Sequence, residues 1–354
     1  MKRHEIISIL VIAMSAPWTS TGLADVSGSV RTSPNFKEGL TNVNHAWLDR
    51  IMFELSQGNL LEATNKPAND TATEGACDSK DASKSIVKLA NVTYKKTVDI
   101  NSNPVALKMY HRYQPKKVSE PLPAILLFFG GGWSSRNLGQ MEEFCKYFAA
   151  RGMICMAPDY RVSSVEGTSP YEAVNDAKSA VRWVRANASN LKIDPDRIIV
   201  GGGSAGGHIA ACTEIITGYN EPGEDLSVSS KPNLLCLLNP VVDTTKNGYG
   251  SRRFTPETDK ELSPFHHITP DVCPTIIFHG TDDTTVPFEN VERFTQKMHD
   301  NSNTCKLVSF DGKAHGFFNH VNFRPDKDPA DFKVCAEESF NFFIANDFGR
   351  GGDP

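Results

Sequence analysis

The sequence predicts an α/β fold in which a mostly parallel sheet carries helices on both faces. From residue 86 onward, short apolar runs alternate with amphipathic segments of helical length. The later runs are almost wholly apolar, which is typical of strands covered on both faces. Because a helix-length segment joins each run to the next, neighbouring strands are expected to be parallel.

Eight strands are expected, in the ranges 86–94, 105–110, 124–129, 153–157, 197–200, 234–238, 275–278 and 306–310. Helices are expected at 138–151, 205–216, 288–299 and 331–343. A further helix should begin at Pro170, because Ser169 and Glu172 have the spacing of a capping box and proline suits the first helical position. In such sheets a ligand site lies beyond the carboxyl ends of the strands.

Composition places the chain among globular proteins. It has 354 residues with 39% hydrophobic and 22% charged side chains, enough to bury a sizeable core. The net charge of -5 predicts no nucleic-acid partner. Cysteine and histidine do not cluster at metal-ligand spacing, so no metal site is expected. Four of the eight cysteines, Cys145, Cys155, Cys212 and Cys236, lie in apolar runs, whereas Cys273 and Cys305 begin two expected strands and are candidates for a disulfide.

The N-terminus has the pattern of a signal peptide. Lys2 and Arg3 precede an apolar run at 6–14, and small residues at Gly22 and Ala24 suit cleavage after Ala24. We expect export to the periplasm or the medium without a stable membrane anchor, since the run is too short to span a bilayer. The predicted division is a signal peptide at 1–24, a polar leader with one helix and a linker at 25–85, and a catalytic domain at 86–348.

The segment Gly202-Gly203-Ser204-Ala205-Gly206 is the strongest chemical signal. An apolar strand leads into it and a helix leaves it, the setting of a G-x-S-x-G turn that exposes a nucleophilic serine. Ser204 is therefore the candidate nucleophile, and the Ala205 N–H is a candidate donor to an oxyanion. A phosphate-binding loop is the alternative, but the Lys-Ser/Thr pair that it requires is absent.

A second glycine run, Gly130-Gly131-Gly132-Trp133, follows the strand expected at 124–129. Backbone N–H groups converge on an oxyanion only where side chains leave room, so glycines suit this position. We call residues 130–133 the glycine loop.

A serine nucleophile requires a base and a group that orients the base. His315 lies in the loop after the last expected strand, and His320 is the next candidate. Asp282 and Asp283 both follow the strand at 275–278, and periodicity does not separate them. Asp243, after the strand at 234–238, occupies another position from which an acid can reach the histidine.

From about residue 105 to 343 the chain resembles the α/β-hydrolase esterases of the hormone-sensitive-lipase-like and bacterial feruloyl- or acetyl-xylan-esterase-like groups. The resemblance rests on ordered blocks of sequence: Gly130-Gly131-Gly132-Trp133, Ala157-Pro158-Asp159-Tyr160-Arg161, Asp176-Ala177 with Val181-Arg182-Trp183, Asp194-Pro195-Asp196-Arg197-Ile198, residues 202–208, 279–287 and 314–317.

The resemblance implies an α/β-hydrolase fold, Asp283 as the acid, and Gly130 and Gly131 beside Ala205 as oxyanion donors. The short insertion between Asp243 and Thr275 predicts that a large cap domain is absent. Related enzymes often have His before the glycine run, whereas this chain has Phe129. The loop must therefore be braced in another way.

The implied function is that of a secreted serine carboxylesterase that acts on short-chain acyl esters without a cofactor. Acetyl groups on carbohydrate are the expected substrates, with Trp133, Phe265 and Phe317 lining the pocket. The alternative is a secreted serine peptidase of the prolyl-oligopeptidase type, which has the same order of catalytic residues. That type usually carries an additional gating domain, for which the leader is too small.

Overall fold

The computed structural model describes residues 85–349. The signal peptide and leader predicted before residue 85 lie outside the described residues and stay predictions. Within the described part, nine strands form one sheet: β1 Ile86–Lys88, β2 Val92–Val98, β3 Pro104–Pro115, β4 Leu122–Phe128, β5 Ile154–Pro158, β6 Ile193–Gly203, β7 Leu234–Leu238, β8 Thr275–Gly280 and β9 Cys305–Phe310.

The sheet is antiparallel at one end and parallel over the rest. Its order is β1-β3-β5-β4-β6-β7-β8-β9, with β2 paired to the same strand β3 as β1. The pairs that involve β3 are antiparallel, whereas all pairs from β5 through β9 are parallel. The carboxyl ends of β4, β6, β8 and β9 therefore open at the same edge, where parallel sheets form ligand sites.

Seven α-helices occur in the same part of the chain: α1 Glu142–Ala149, α2 Ser163–Glu166, α3 Pro170–Ala186, α4 Ala188–Leu191, α5 Ala205–Ile215, α6 Phe288–Asp300 and α7 Pro329–Ala345. The predicted start of α3 is confirmed, including the reciprocal capping box between Ser169 and Glu172. Five of the seven correspond to predicted helices. The single-turn helices α2 and α4 have too few residues to show a periodic pattern.

The sheet separates two hydrophobic cores, which confirms helices on both faces. Alternate residues of β4 point to opposite sides, as the two-residue period of a strand requires. Leu126 lies in a core with residues from α3, α5 and α6. Its neighbours Ile125 and Leu127 lie in the other core, against α1 and α7.

The first predicted strand differs from the structure. Instead of one strand at 86–94, β1 and β2 are separated by residues 89–91, and both pair with the long strand β3. Ile86 of β1 packs against one core, and Val92 and Tyr94 of β2 belong to the other.

The region between β7 and β8 contains only short helical turns. These are the 3-10 helices Ser251–Arg253 and Pro264–His267, so no cap domain is present in this part of the described chain. None of the described helices is both long and apolar enough to cross a membrane.

The predicted Cys273–Cys305 disulfide is wrong. Both cysteines are free thiols, and the Cys305 Sγ instead faces the Thr295 Oγ1 at 3.8 Å.

Candidate active site

Ser204 lies in the sharp turn between β6 and α5. Its φ of 53° and ψ of -119° are unusual for a residue with a side chain, and such strain persists only where the surroundings enforce it. The Ser204 N–H donates to the Leu238 carbonyl at 2.9 Å, which ties the turn to the end of β7. The hydroxyl is thereby placed at the carboxyl end of the sheet and at the N-terminus of α5.

Glycine is required on both sides of Ser204 because backbone atoms occupy the space of a side chain. A Cβ on Gly202 would lie 2.4 Å from the Phe128 carbonyl oxygen. A Cβ on Gly206 would lie 2.3 Å from the carbonyl oxygens of both Phe128 and Phe129. The nucleophile turn is thus packed directly against the end of β4, where the glycine loop begins.

Ser204, His315 and Asp283 form one hydrogen-bonded chain. The His315 Nε2 lies 2.9 Å from the Ser204 Oγ, and the His315 Nδ1 lies 2.6 Å from the Asp283 Oδ2. His315 follows β9 and Asp283 follows β8, so each side chain comes from the carboxyl end of a different parallel strand. The tautomer with hydrogen on Nδ1 donates to the carboxylate and leaves Nε2 free to accept the serine proton.

The Asp283 carboxylate is buried and heavily hydrogen-bonded. Its Oδ1 accepts the N–H groups of Thr285 and Val286 at 2.9 and 2.8 Å, and the His279 Nε2 lies 3.2 Å from its Oδ2. Burial alone would raise the pKa of Asp283, but the bonds from His279, His315 and Val286 outweigh it and hold this pKa well below its ordinary value. The group therefore remains ionised in the acidic range as well as at neutral pH.

The structure separates the acid and base candidates that the sequence left open. Asp282 is exposed to solvent, whereas Asp283 faces His315. Asp243 is buried beside Thr245 and pairs with Arg293 at 3.1 Å. His320 packs against the Phe332 ring, and its Nδ1 accepts the backbone N–H of Asn322.

The prediction that Gly130 supplies an oxyanion donor is wrong, because its N–H donates to the Gln140 Oε1 at 2.6 Å. The two following glycines, Gly131 and Gly132, have φ values of 146° and 61°, a region that favours glycine. Within residues 85–349 neither of their N–H groups has a protein acceptor. Gly132 is thus a site residue that the sequence analysis missed, although it lies in the same glycine run.

Side chains hold the glycine loop from several directions. The Asn137 Nδ2 donates to the Gly130 carbonyl at 2.8 Å. The Trp133 Nε1 donates to the buried His208 Nδ1 at 3.2 Å. Phe129, which stands where related enzymes often have His, stacks on Tyr160, and the Tyr160 hydroxyl donates to the Phe129 carbonyl at 2.9 Å. The loop is therefore braced without that histidine.

A cavity of about 400 Å³ opens above Ser204 and His315. Its lining is about equally polar and apolar. The polar part includes the amide side chains of Asn137, Gln140, Asn239 and Asn319, together with Arg324, Asp326 and Lys327. Tyr249, Phe318 and Phe323 provide its aromatic surface. Such a lining suits a substrate with many hydrogen-bonding groups better than a long hydrocarbon chain.

The three aromatic residues predicted to line the pocket do not line it. Trp133 is buried and packs against His208, Tyr249 and Phe254. Phe317 is buried between Phe310 and Phe318. Phe265 lies near the Arg293 and Lys297 side chains, which sit over its ring. The sequence places aromatic residues near the site but does not show whether they face the cavity or the core.

The described residues contain no group of three or more His, Cys, Asp or Glu side chains placed to hold a metal ion. What they do assemble is a serine hydroxyl beside a base, an ionised acid behind the base, and backbone donors near the serine. This arrangement can attack a carbonyl carbon and stabilise the negative charge that develops on its oxygen.

Fold and site together define the α/β-hydrolase class. The model of the BD-FAE family matches residues 111–244, and that of the dienelactone hydrolase family matches residues 235–344. Among solved structures, apo esterase 2 of Thermogutta terrifontis has a TM-score of 0.67 and 40% sequence identity, over 74% of this chain and 96% of that chain. The chain belongs to the α/β-hydrolase esterases of the hormone-sensitive-lipase-like group, which are carboxylic ester hydrolases.

Curated relatives agree with this assignment. The probable isoprenylcysteine alpha-carbonyl methylesterase of Arabidopsis thaliana is 30% identical over 57% of this chain and 47% of its own length. Esterase LipC of Mycobacterium tuberculosis is 27% identical over 56% of this chain and 54% of its own length. The chain therefore spans about half the length of the curated relatives it matches.

Proposed function

We propose that this protein is a serine carboxylesterase that hydrolyses short-chain acyl esters of polar alcohols. The observation that carries the proposal is the 2.9 Å contact between the Ser204 Oγ and the His315 Nε2, with Asp283 bonded to the opposite nitrogen of the imidazole. A serine hydroxyl in this setting loses its proton to the imidazole as it attacks an ester carbonyl.

In the first step the Ser204 Oγ bonds to the carbonyl carbon while the His315 Nε2 takes the hydroxyl proton. The N–H groups of Gly131, Gly132 and Ala205 donate to the resulting oxyanion, and the Ala205 N–H is available because it begins a helix. The imidazolium is stabilised by the ionised Asp283 carboxylate. When the tetrahedral intermediate collapses, the alcohol leaves with the proton from His315, and the acyl group stays on Ser204.

In the second step a water molecule takes the place of the alcohol. His315 removes its proton as the water oxygen attacks the acyl carbon, and the same backbone donors stabilise the second oxyanion. Collapse of this intermediate returns the proton to the Ser204 Oγ and releases the carboxylic acid. The enzyme ends in its starting state, and no external group is consumed besides water.

The polar half of the cavity lining, with the charged groups of Arg324, Asp326 and Lys327, supports a substrate whose alcohol part bears hydroxyl groups, such as an acetylated carbohydrate. Structures of the Thermogutta terrifontis esterase with propionate or butyrate bound support the short acyl group. Phe318 and Phe323 provide a limited aromatic surface, enough for a few methylene groups.

The test is hydrolysis of p-nitrophenyl esters from acetate to octanoate, of an acetylated oligosaccharide, and of a proline p-nitroanilide peptide. We expect kcat/KM to be highest for the two- to four-carbon esters, deacetylation of the oligosaccharide, and no cleavage of the anilide. Ser204→Ala should reduce kcat to background, whereas Ser227→Ala, at an exposed serine, should leave it unchanged. Full activity of Ser204→Ala would exclude the mechanism, and preferential cleavage of the anilide would instead support a peptidase.

We also propose that the protein is exported after cleavage behind Ala24. The charged, apolar and small-residue segments of the first 24 residues support this. Mass spectrometry of the protein recovered from the periplasm or medium should give a mature chain that begins at Asp25. Recovery of the full-length chain from the cytosol alone would contradict it.

A further inference from the structure

A chain of side-chain amides connects the glycine loop to the loop that carries His315. The Gly130 N–H donates to the Gln140 Oε1 at 2.6 Å, and the Gln140 Nε2 donates to the Asn319 Oδ1 at 2.8 Å. The Asn319 Nδ2 then donates to the Gly316 carbonyl at 2.7 Å. Gln140 and Asn319 together are called the amide bridge below.

We propose that the amide bridge sets the position of the oxyanion donors relative to the catalytic base, so that Gln140 and Asn319 are positioning residues of the esterase reaction. This inference rests on the proposed function. It assigns to the two amides a role in kcat, beyond the stability that any buried hydrogen bond confers.

The direction of each amide in the bridge is fixed by its partners. The Gln140 oxygen faces an N–H group and its nitrogen faces the Asn319 oxygen. Turning the Gln140 amide over would set nitrogen against the Gly130 N–H and oxygen against oxygen, which would lose both bonds. Both side chains are buried, where an unpaired polar group is costly. The bridge therefore has one arrangement, which is what a positioning element requires.

At the glycine loop, the bridge acts on the residue that precedes the oxyanion donors. The Gly131 carbonyl already accepts the N–H groups of Ser134 and Ser135 at 3.0 and 2.9 Å, so the conformation that remains to be set is that around Gly130. The Gly130 N–H is held by Gln140 and the Gly130 carbonyl by Asn137, so the peptide groups on both sides of the Gly130 Cα are fixed. In a trans peptide the carbonyl and the following N–H point in opposite directions. Holding the Gly130 carbonyl therefore also orients the Gly131 N–H.

At the other end, the bridge acts beside the base. Gly316 follows His315 and has a φ of 77°, so its backbone also lacks the restraint of a side chain. Its carbonyl is held by Asn319, and its N–H donates to the Asn239 Oδ1 at 2.8 Å. These contacts restrain the backbone from which the His315 ring reaches Ser204.

Loss of the bridge should affect the transition state more than the bound substrate. The oxyanion exists only after the serine attacks, so misplaced donors reduce kcat while substrate affinity changes little. A displacement of about 1 Å in a catalytic group is enough to cost about 100-fold in rate.

The experiment compares Gln140→Met and Asn319→Leu, which keep the volume and remove the hydrogen bonds, with the control Gln296→Met on α6. The Gln296 Nε2 donates to the Oδ1 of Asp300 at 2.8 Å, and both residues are exposed. With p-nitrophenyl butyrate we expect each bridge variant to lose about 10- to 100-fold in kcat with KM within about threefold. The double variant should lose about as much as either single variant, because the residues act as one unit. The control should match the unmutated protein.

A second measurement separates positioning from general destabilisation. A phenylboronic acid forms a tetrahedral adduct with a catalytic serine, so its inhibition constant reports on the oxyanion donors, whereas inhibition by 1-butanol, which is uncharged and has no carbonyl, does not. We expect the bridge variants to bind the boronic acid more weakly, in proportion to their loss in kcat, with inhibition by 1-butanol unchanged.

If Gln140→Met fails to fold by circular dichroism, Gln140→Glu replaces it. A carboxylate still accepts the Gly130 N–H but has no hydrogen to donate to Asn319, so the same loss in kcat is expected. A kcat within twofold of the unmutated protein in the folded bridge variants, or single losses that multiply in the double variant, would overturn the inference. Both results leave the proposed function intact, because that proposal is tested separately by Ser204→Ala and by the comparison of ester and anilide substrates.

Discussion

The nucleophile turn at residues 202–206 and the glycine loop at 130–133 face the same cavity, yet they are held in different ways. The turn is fixed by its own backbone: Ser204 bonds to the Leu238 carbonyl, and Gly202 and Gly206 pack against carbonyl oxygens of β4 and the residue after it. The glycine loop has a backbone turn at the Gly131 carbonyl, but its first and last residues, Gly130 and Trp133, are fixed by side chains from elsewhere, namely those of Asn137, Gln140 and His208.

This difference decides which part of the site can be read from a sequence motif. The conformation of the nucleophile turn is determined by five consecutive residues, so a five-residue motif identifies it. A loop braced from outside does not, because its supports lie at separate points of the chain. The same difference predicts which substitutions disturb each segment. Substitutions within the motif should disturb the nucleophile turn, whereas substitutions of distant amide side chains or of a distant histidine should disturb the glycine loop.

The largest loss of activity is expected from substitution of Asp283, the acid that orients His315 beside the nucleophile. Asp283→Asn should lower kcat by about 10³- to 10⁴-fold, as loss of the acid does in other serine hydrolases, because an amide in place of the Asp283 Oδ2 favours the wrong tautomer of His315. Asp282→Asn is the matched control and should stay within twofold, since Asp282 is exposed. Steady-state kinetics on p-nitrophenyl butyrate decides between them, and a greater loss in the Asp282 variant would refute the assignment.

A smaller but still large effect is expected from Gly206→Ala. In an ordinary helix this change stabilises by about 1 kcal/mol. Here the added Cβ would lie 2.3 Å from the carbonyl oxygens of Phe128 and Phe129, so the free energy of unfolding should fall by about 1–3 kcal/mol. The shifted backbone should also lower kcat by about 100-fold.

Gly139→Ala is the control for this backbone effect, because its Cβ would meet only the Phe323 ring at 3.9 Å. Urea denaturation and kinetics on both variants test the contrast. A Gly206→Ala protein as stable and active as Gly139→Ala would show that the turn has more room than the contacts indicate.

The stability of the protein should depend on pH through His208, which supports the glycine loop. Burial lowers the pKa of His208 from 6.5 to about 4, and its Nδ1 accepts from Trp133 while its Nε2 donates to the Leu262 carbonyl. Between those two pH values the unfolded chain binds a proton that the folded chain excludes. The free energy of unfolding should therefore fall as the pH drops through this window, by up to about 3 kcal/mol.

His208→Gln should remove this part of the pH dependence, because an amide can accept from Trp133 and donate to Leu262 without titrating. The measurement is urea denaturation at pH 7 and pH 4.5. His299→Gln, at an exposed histidine on α6, should keep the pH dependence of the unmutated protein. Equal pH dependence in the His208 variant and the unmutated protein would contradict the role of the buried imidazole.

The sequence predicted the strands that lead to the site because their apolar runs reflect burial on both faces. It also predicted Ser204 and His315 as neighbours, since loops after parallel strands meet at one edge. The choice between Asp282 and Asp283 depended on family resemblance, and the structure separates them by which carboxylate turns inward. A loop has no regular alternation of buried and exposed residues, so the sequence does not show which of two adjacent loop residues is buried.

The support of the glycine loop could not be predicted in this way. The Gln140 side chain reaches back ten positions to Gly130, and its other contact, Asn319, lies 179 residues away. Nothing in the glycine run itself indicates which of its N–H groups is already bonded. The aromatic predictions failed for a related reason, because Trp133 and Phe317 point into the core from loops that border the cavity.

The central claim, that Ser204 is the nucleophile, is tested most directly by labelling with a fluorophosphonate and measuring the intact mass. A fluorophosphonate reacts with a serine hydroxyl that an adjacent base activates. We expect one phosphonyl group per chain in the unmutated protein, located on the peptide that contains Ser204, and none in Ser204→Ala. Labelling of Ser204→Ala at the unmutated rate, or attachment at another residue, would contradict it.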